Sequence, residues 1–165
     1  MLHAPGSKWC YSTHAYTVTG GVFEAITGKP LQKLLAQHFG ESLGLPTLRA
    51  ELIEKPLKER AAIYSSATKP EKFDNTSWKV TGGGMVASAR DMARLGLKLF
   101  NGQVTKESTR KIFWPDDTFG HAGGQPGAAS YWKLDFKNKI SVIVLANRKA
   151  GKPKELAEAL YELAK

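Results

Sequence analysis

The chain has 165 residues, close to one domain at about 150 residues per domain. Its 42% hydrophobic and 24% charged residues are a globular composition, and a domain of this length buries about 70% of its extended-chain surface. A single cysteine, Cys10, excludes an internal disulfide framework and a four-cysteine zinc site, and no run of about 18 apolar residues is present to span a membrane. The 24 Lys and Arg exceed the 15 Asp and Glu by nine, but they are scattered. The densest knots, Arg110-Lys111 and Arg148-Lys149, are pairs without a recognition-helix, zinc-finger or RNA-binding pattern, so no nucleic-acid partner is expected. The opening Met1-Leu2-His3-Ala4-Pro5-Gly6 lacks the basic-then-apolar order of a signal peptide.

Residues 13–27 read as a helix, with Ala15, Val18, Val22 and Ile26 on one apolar stripe and Tyr16 and Phe23 beside it. Gly28-Lys29-Pro30 ends that helix and opens a second, carried by Leu31, Leu34, Leu35 and Phe39 and closed by Gly40. Residues 52–73 are charged and irregular, apart from a strand-like Ala61-Ala62-Ile63-Tyr64. Gly82-Gly83-Gly84 predicts a tight non-helical turn, because consecutive glycines lose much backbone entropy inside an element. Ser88 followed by Asp91 resembles a capping box, with Met92, Leu95 and Leu99 as the buried stripe and Asn101-Gly102 as the stop. Thr105 is expected to cap a short helix that runs to Phe113 before Pro115.

Beyond Trp114 the pattern changes. Residues 128–136 and 140–146 are strand-like, joined by a turn at Lys137-Asn138-Lys139. Ser141 to Leu145 is apolar without alternation, as in a strand covered on both faces. Pro153 opens a last helix with Leu156, Ala159, Leu160 and Leu163 on one face. Helices come first (1–114), then strands and a terminal helix (115–165), within one domain. This segregation is α+β.

Two short stretches carry residue types suited to chemistry. Tyr11-Ser12-Thr13 stands at a helix start, where a partly dry tyrosine near cations serves as a general base; the alternative is a core tyrosine with Thr13 as the cap. His121-Ala122-Gly123-Gly124 opens a strand in which glycines let a ligand approach backbone N–H groups and histidine donates hydrogen bonds; the alternative is a glycine-rich hairpin with an exposed histidine. The four histidines have no paired metal-ligand spacing, and neither a metal nor a cofactor is expected.

Taken in order, Pro5-Gly6 before Tyr11-Ser12-Thr13, then Gly82-Gly83-Gly84-Met85 with Ser88 and Asp91-Met92-Ala93-Arg94, then His121-x-Gly123-Gly124 ahead of a hairpin and helix resemble the serine β-lactamase-like family. That family holds penicillin-binding proteins, class C-type β-lactamases, related esterases and LACTB-like peptidases. The resemblance implies a β-lactamase/transpeptidase-like fold and acyl transfer through a serine in S-x-x-K, with Y-x-N and K-T-G or H-x-G motifs lining the cleft. It implies that Tyr11 moves the proton and that His121 replaces the K-T-G lysine. Gly123 and Gly124 would line the substrate, Gly124 giving one oxyanion N–H. Thr13 stands where many relatives have asparagine.

In that family S-x-x-K precedes the tyrosine motif, after two strands, whereas ten residues precede Tyr11 here. The fold is therefore expected to be incomplete, without the nucleophile. Ser66-Ala67-Thr68-Lys69 and Ser108-Thr109-Arg110-Lys111 have the spacing but stand in the wrong order. Ser66, Cys10 and Ser12 remain candidate substitutes, a thiol acting only when a cation or helix end lowers its pKa. An unpaired final strand and uncovered helix faces would favour a homo-oligomer or a complementing N-terminal fragment. Two functions follow: a truncated hydrolase of β-lactam, ester or amide bonds taking a small acyl substrate, or a non-catalytic, repurposed oligomeric binding module that keeps the cleft.

Overall fold

The computed structural model describes residues 3–165; Met1 and Leu2 of the opening stretch lie outside the described residues. Helix α1 (Thr13–Thr27) begins at Ser12, whose extended backbone and Oγ, accepting the Ala15 N–H at 3.2 Å, make it the N-cap in place of Thr13. It stops at left-handed Gly28, whose N–H donates to the Glu24 carbonyl at 2.8 Å. The Glu24 carboxylate accepts the Leu31 N–H at 2.7 Å and so ties α1 to α2 (Leu31–Leu35). A π-helical turn, Ala36–Ser42, continues α2 through Gly40, which therefore does not close the helix.

The stripe predicted to bury α1 faces outward. Val18, Val22, Phe23 and Ile26 are exposed, and Gly20 alone is buried. The helix instead packs through small residues onto α3 (Val80–Gly83). A Cβ on Gly20 would stand 2.7 Å from the Thr81 Oγ1, and one on Gly82 would stand 2.7 Å from the Thr13 carbonyl oxygen. The triple glycine is thus partly helical, contrary to the predicted turn. Its side-chain-free surface lets two backbones meet, a gain that outweighs glycine's entropic disadvantage.

Leu43, Leu45 and Leu48, in the loop after α2, meet Leu95 and Leu99 of α4 (Ala89–Phe100) and Leu134 to form the core. Ser88 caps α4 as expected, its Oγ accepting the Asp91 N–H at 3.2 Å. Thr47 locks this loop to α4 by donating to Asp91 Oδ2 through its N–H (2.9 Å) and its hydroxyl (2.6 Å). Burial pushes the Asp91 carboxyl up, but those bonds and Arg94 outweigh it and hold its pKa below the usual range. A two-residue ribbon pairs β1 (Arg49–Ala50) with β2 (Met85–Val86). The strand expected at 61–64 does not form; Tyr64 makes only isolated bridges to Pro70 and Arg148. Helix α5 spans Glu107–Phe113 with Lys106, not Thr105, at its N-cap.

Strands β3 (Thr118–Gln125), β4 (Ala128–Asp135) and β5 (Ile140–Ala146) form an antiparallel sheet in that order. Pro126-Gly127 turns β3 into β4, with Gly127 at φ 73°, the geometry a Pro-Gly turn needs at its second position. The Phe136 N–H donates to the Asp117 carbonyl at 2.7 Å, and this fixes the ladder's phase. Odd-numbered residues of β3 therefore bond to β4, while even-numbered ones direct N–H and C=O to the open edge. By the same alternation Ser141, Ile143 and Leu145 of β5 direct theirs to the opposite open edge.

One face of the sheet packs on α4 and the other on α6 (Pro153–Ala164), so β5 meets a helix on each face. Its residues are only half-buried and Leu145 is exposed, short of the full burial its unbroken apolar run predicts. The α6 stripe, however, is not the predicted one. Ala157 and Tyr161 are buried, whereas Leu156, Leu160 and Leu163 are exposed. Polar bonds hold α6 in place: Tyr161 donates to Asp135 Oδ2 at 2.5 Å, and Lys133 and Tyr131 donate to Glu158 at 3.0 and 3.1 Å. Burial raises the Asp135 carboxyl, but bonds from Asn138 and Tyr161 prevail and leave its pKa low. Asp135 is 2% exposed, so this network is the sheet's anchor.

Candidate active site

Side chains alternate along β3, so Phe119, His121, Gly123 and Gln125 share one face. That face looks toward the helical region, because Phe119 packs on the core and Gln125 Nε2 donates to the Gly83 carbonyl at 2.9 Å. Gly82, one residue before, is the glycine pressed against Thr13. The α3 turn is therefore a bridge. One side holds the first turn of α1, directly after Tyr11-Ser12, and the other holds the glycine end of the His121 strand.

On the α1 side, Tyr11 is 65% exposed, which excludes the core-tyrosine reading, and its ring lies 6.4 Å from that of Trp9. The Thr13 carbonyl accepts the Thr17 hydroxyl at 3.1 Å. On the β3 side, the His121 ring stacks on Phe119 at 6.2 Å and 10°, and Phe119 leans on Trp114 at 5.3 Å. Gly123 lies over Ser130, whose Oγ is 2.5 Å from where a Cβ would be. Gly124 has open space where a Cβ would stand, and the ladder phase aims its N–H outward from β4. A free backbone N–H at an open strand edge is a group that can receive negative charge developing on a carbonyl oxygen.

The substitute nucleophiles fare differently. Ser12 Oγ is engaged as the cap of α1. Cys10 is exposed beside Tyr11. Ser66 lies in a surface turn where its Oγ accepts the Lys69 N–H at 3.2 Å, bordering an open hollow of about 330 Å³ with Tyr64, Ala67, Asn147 and Arg148. Ser108 lies on α5. None of the four has a hydrogen bond to His121 or Tyr11 side chains among the described residues. The sequence reading missed Gln125 as the link to α3. Counting by twos from His121 along the strand would have found it.

A helical region clasped to an antiparallel sheet with a C-terminal helix is the α+β architecture of the serine acyl-transferases and hydrolases of the β-lactamase/transpeptidase type. The model of the Beta-lactamase family matches residues 1–165, and the chain belongs to that family. Among solved structures it is similar to a penicillin binding protein from Bacillus halodurans, with a TM-score of 0.80, 19% identity, and coverage of 99% of this chain and 59% of that one. It is also similar to the D-amino acid amidase from Ochrobactrum anthropi SV3 complexed with D-phenylalanine (TM-score 0.76, 20% identity, 97% and 63% covered). A class C beta lactamase from Rhodobacter sphaeroides matches with TM-score 0.68, 17% identity, and 93% and 59% covered. At these identities the likeness shows the fold. The chain spans about three fifths of the length of these structures. No curated protein matches it. Among the described residues no helix is long and apolar enough to cross a membrane.

Proposed function

We propose that this chain is one wall of the cleft of a serine hydrolase that cleaves ester, amide or β-lactam bonds by acyl transfer. The serine stands on an S-x-x-K segment whose preceding strands pair with the sheet's β5 edge and which runs on across the molecule to the opposite, β3 edge beside Tyr11 and Gly124. Its Oγ attacks the substrate carbonyl and Tyr11 takes the hydroxyl proton. As the C–N or C–O bond breaks, Tyr11 passes that proton to the leaving group, and a water molecule then frees the acyl group. The Gly124 N–H holds the oxyanion together with the nucleophile's own N–H, and His121 lines that side. Thr13 and Gly123 border the substrate. A base works from a dry site beside a cation, and the exposed Tyr11 acquires both when the segment covers it.

The observation that carries this reading is the α3 bridge, which joins the Tyr11 turn to the His121 strand through Gly82 and Gly83. The free β5 edge and the exposed apolar residues of α1 and α6 support the second segment. Hydrolysis of a chromogenic ester and of a chromogenic cephalosporin tests it. Turnover is expected only when a family S-x-x-K segment with its preceding strands is supplied. Saturable binding of both compounds without turnover, with the segment docked, would instead make the chain a binding module.

A further inference from the structure

The β5 edge is apolar in its middle and basic at both ends. Ser141, Ile143 and Leu145 direct free N–H and C=O groups outward, and the Leu145 side chain is 43% exposed. Beyond Leu145 the edge is already taken, because the Tyr64 N–H donates to the Asn147 carbonyl at 2.9 Å. The open stretch is therefore about five residues, a normal strand length. Lys137 and Lys139 flank its start, and Arg148 and Lys149 flank its end. The acids nearby on α6 are already engaged: Glu155 with Lys152, Glu158 with Lys133 and Glu162 with Lys165. None of the four flanking cations has an acidic partner among the described residues.

We infer that the β5 edge takes an extended segment with an apolar centre and acidic residues at both ends, and not a second copy of this chain. This rests on the reading that the edge is a docking site. Pairing β5 with itself brings basic ends together in either direction: antiparallel pairing sets Lys137 and Lys139 beside Arg148 and Lys149 of the other copy, and parallel pairing sets each end on its like. Like charges face each other unfavourably across strands, and opposite ones favourably. A strand with acids at its ends satisfies the free ladder and the four cations together, the mode of recognition in which main-chain bonds bind and flanking side chains select.

Two fluorescein-labelled nonapeptides with the same Thr-Val-Thr-Ile-Thr centre, one ending in two Glu on each side and one in two Lys, test this with the whole chain. Anisotropy titrations are run at ~0.01 M and ~1 M salt, where charges reach about 30 Å and 3 Å. Amide exchange at Ser141, Ile143 and Leu145 reports where the peptide sits. The Glu peptide is expected to bind at least about tenfold tighter at low salt, to protect those amides, and to lose most of its advantage at high salt. The double variant K139E/R148E, which leaves one cation and one acid at each end, should abolish the preference, and the fourfold variant K137E/K139E/R148E/K149E should reverse it, which a folding defect would not do. Equal binding of both peptides with the amides protected overturns the charge rule while leaving the edge as a docking site. Protection by neither peptide overturns the docking itself, and protection in the free chain through self-association shows that the partner is a second copy.

Discussion

Replacing Gly82 by alanine probes the bridge on which the candidate site depends. Gly82 lies in the helical turn of α3 without a positive φ, so its backbone suits alanine. The added methyl group would lie 2.7 Å from the Thr13 carbonyl oxygen, 2.9 Å from Thr13 Cγ2 and 3.2 Å from Thr17 Oγ1. The carbonyl is main chain and already accepts a hydrogen bond from Thr17, so it cannot rotate away. Overpacking of this kind costs about 1–3 kcal/mol. Alanine's helix preference returns up to about 1 kcal/mol, leaving a net loss of roughly 0–2. For a chain of this length that lowers Tm by up to roughly 8 °C. Gly21, on the open side of α1, has nothing within 4 Å of where an alanine methyl group would stand, so Gly21→Ala should stabilise by about 1 kcal/mol. Urea unfolding of the two variants, compared at unchanged m, measures the difference. If Gly82→Ala stabilises the chain as much as Gly21→Ala does, α1 and α3 are not in close contact and the bridge is wrong.

Asp135 makes stability depend on acid. Its folded pKa is depressed, so its contribution is complete above the unfolded carboxylate value near 4 and is lost as pH falls through the folded value. Thermal melts should therefore be flat with respect to this group from about pH 7 to 5 and decline below about pH 4. Tyr161→Phe, which removes the 2.5 Å bond to Asp135, should cost about 1.5–3 kcal/mol at neutral pH and flatten that decline, checked by the same melts. Ser12→Ala should destabilise by about 1 kcal/mol through loss of the α1 cap while leaving reconstituted hydrolysis unchanged; loss of hydrolysis in a folded variant would make Ser12 the nucleophile. Tyr11→Phe and His121→Ala should each lower reconstituted hydrolysis by at least about ten- to a hundredfold, measured as kcat/KM, and unchanged rates in both would place the chemistry elsewhere.

Much of the fold was legible because it is local. Ser88 and Asp91 announced α4, and the two apolar runs around Lys137-Asn138-Lys139 announced β4 and β5. Periodicity misled at both ends, for one reason. The apolar stripes of α1 and α6 are real, but periodicity does not say what covers a stripe. In this chain α1 packs through Gly20, Thr13 and Thr17, and α6 through Ala157 and Tyr161. Three glycines read as a breaker because their entropy is a local quantity, whereas the close approach of Thr13 to Gly82 joins residues far apart in sequence. The His121 motif was visible as residues, but the outward aim of the Gly124 N–H depends on ladder phase, set by the pairing of Asp117 with Phe136.

The most direct test of an acyl-transfer cleft whose attacking residue stands on a docked segment is covalent labelling by a fluorescent penicillin, with the modified residue located by mass spectrometry. The chain alone should remain unlabelled. Mixed with a family segment that carries S-x-x-K and its preceding strands, label should form on that segment's serine and fall sharply with Tyr11→Phe. Label on this chain by itself, at Cys10, Ser12 or Ser66, or no label in a complex shown to have formed, would contradict the account.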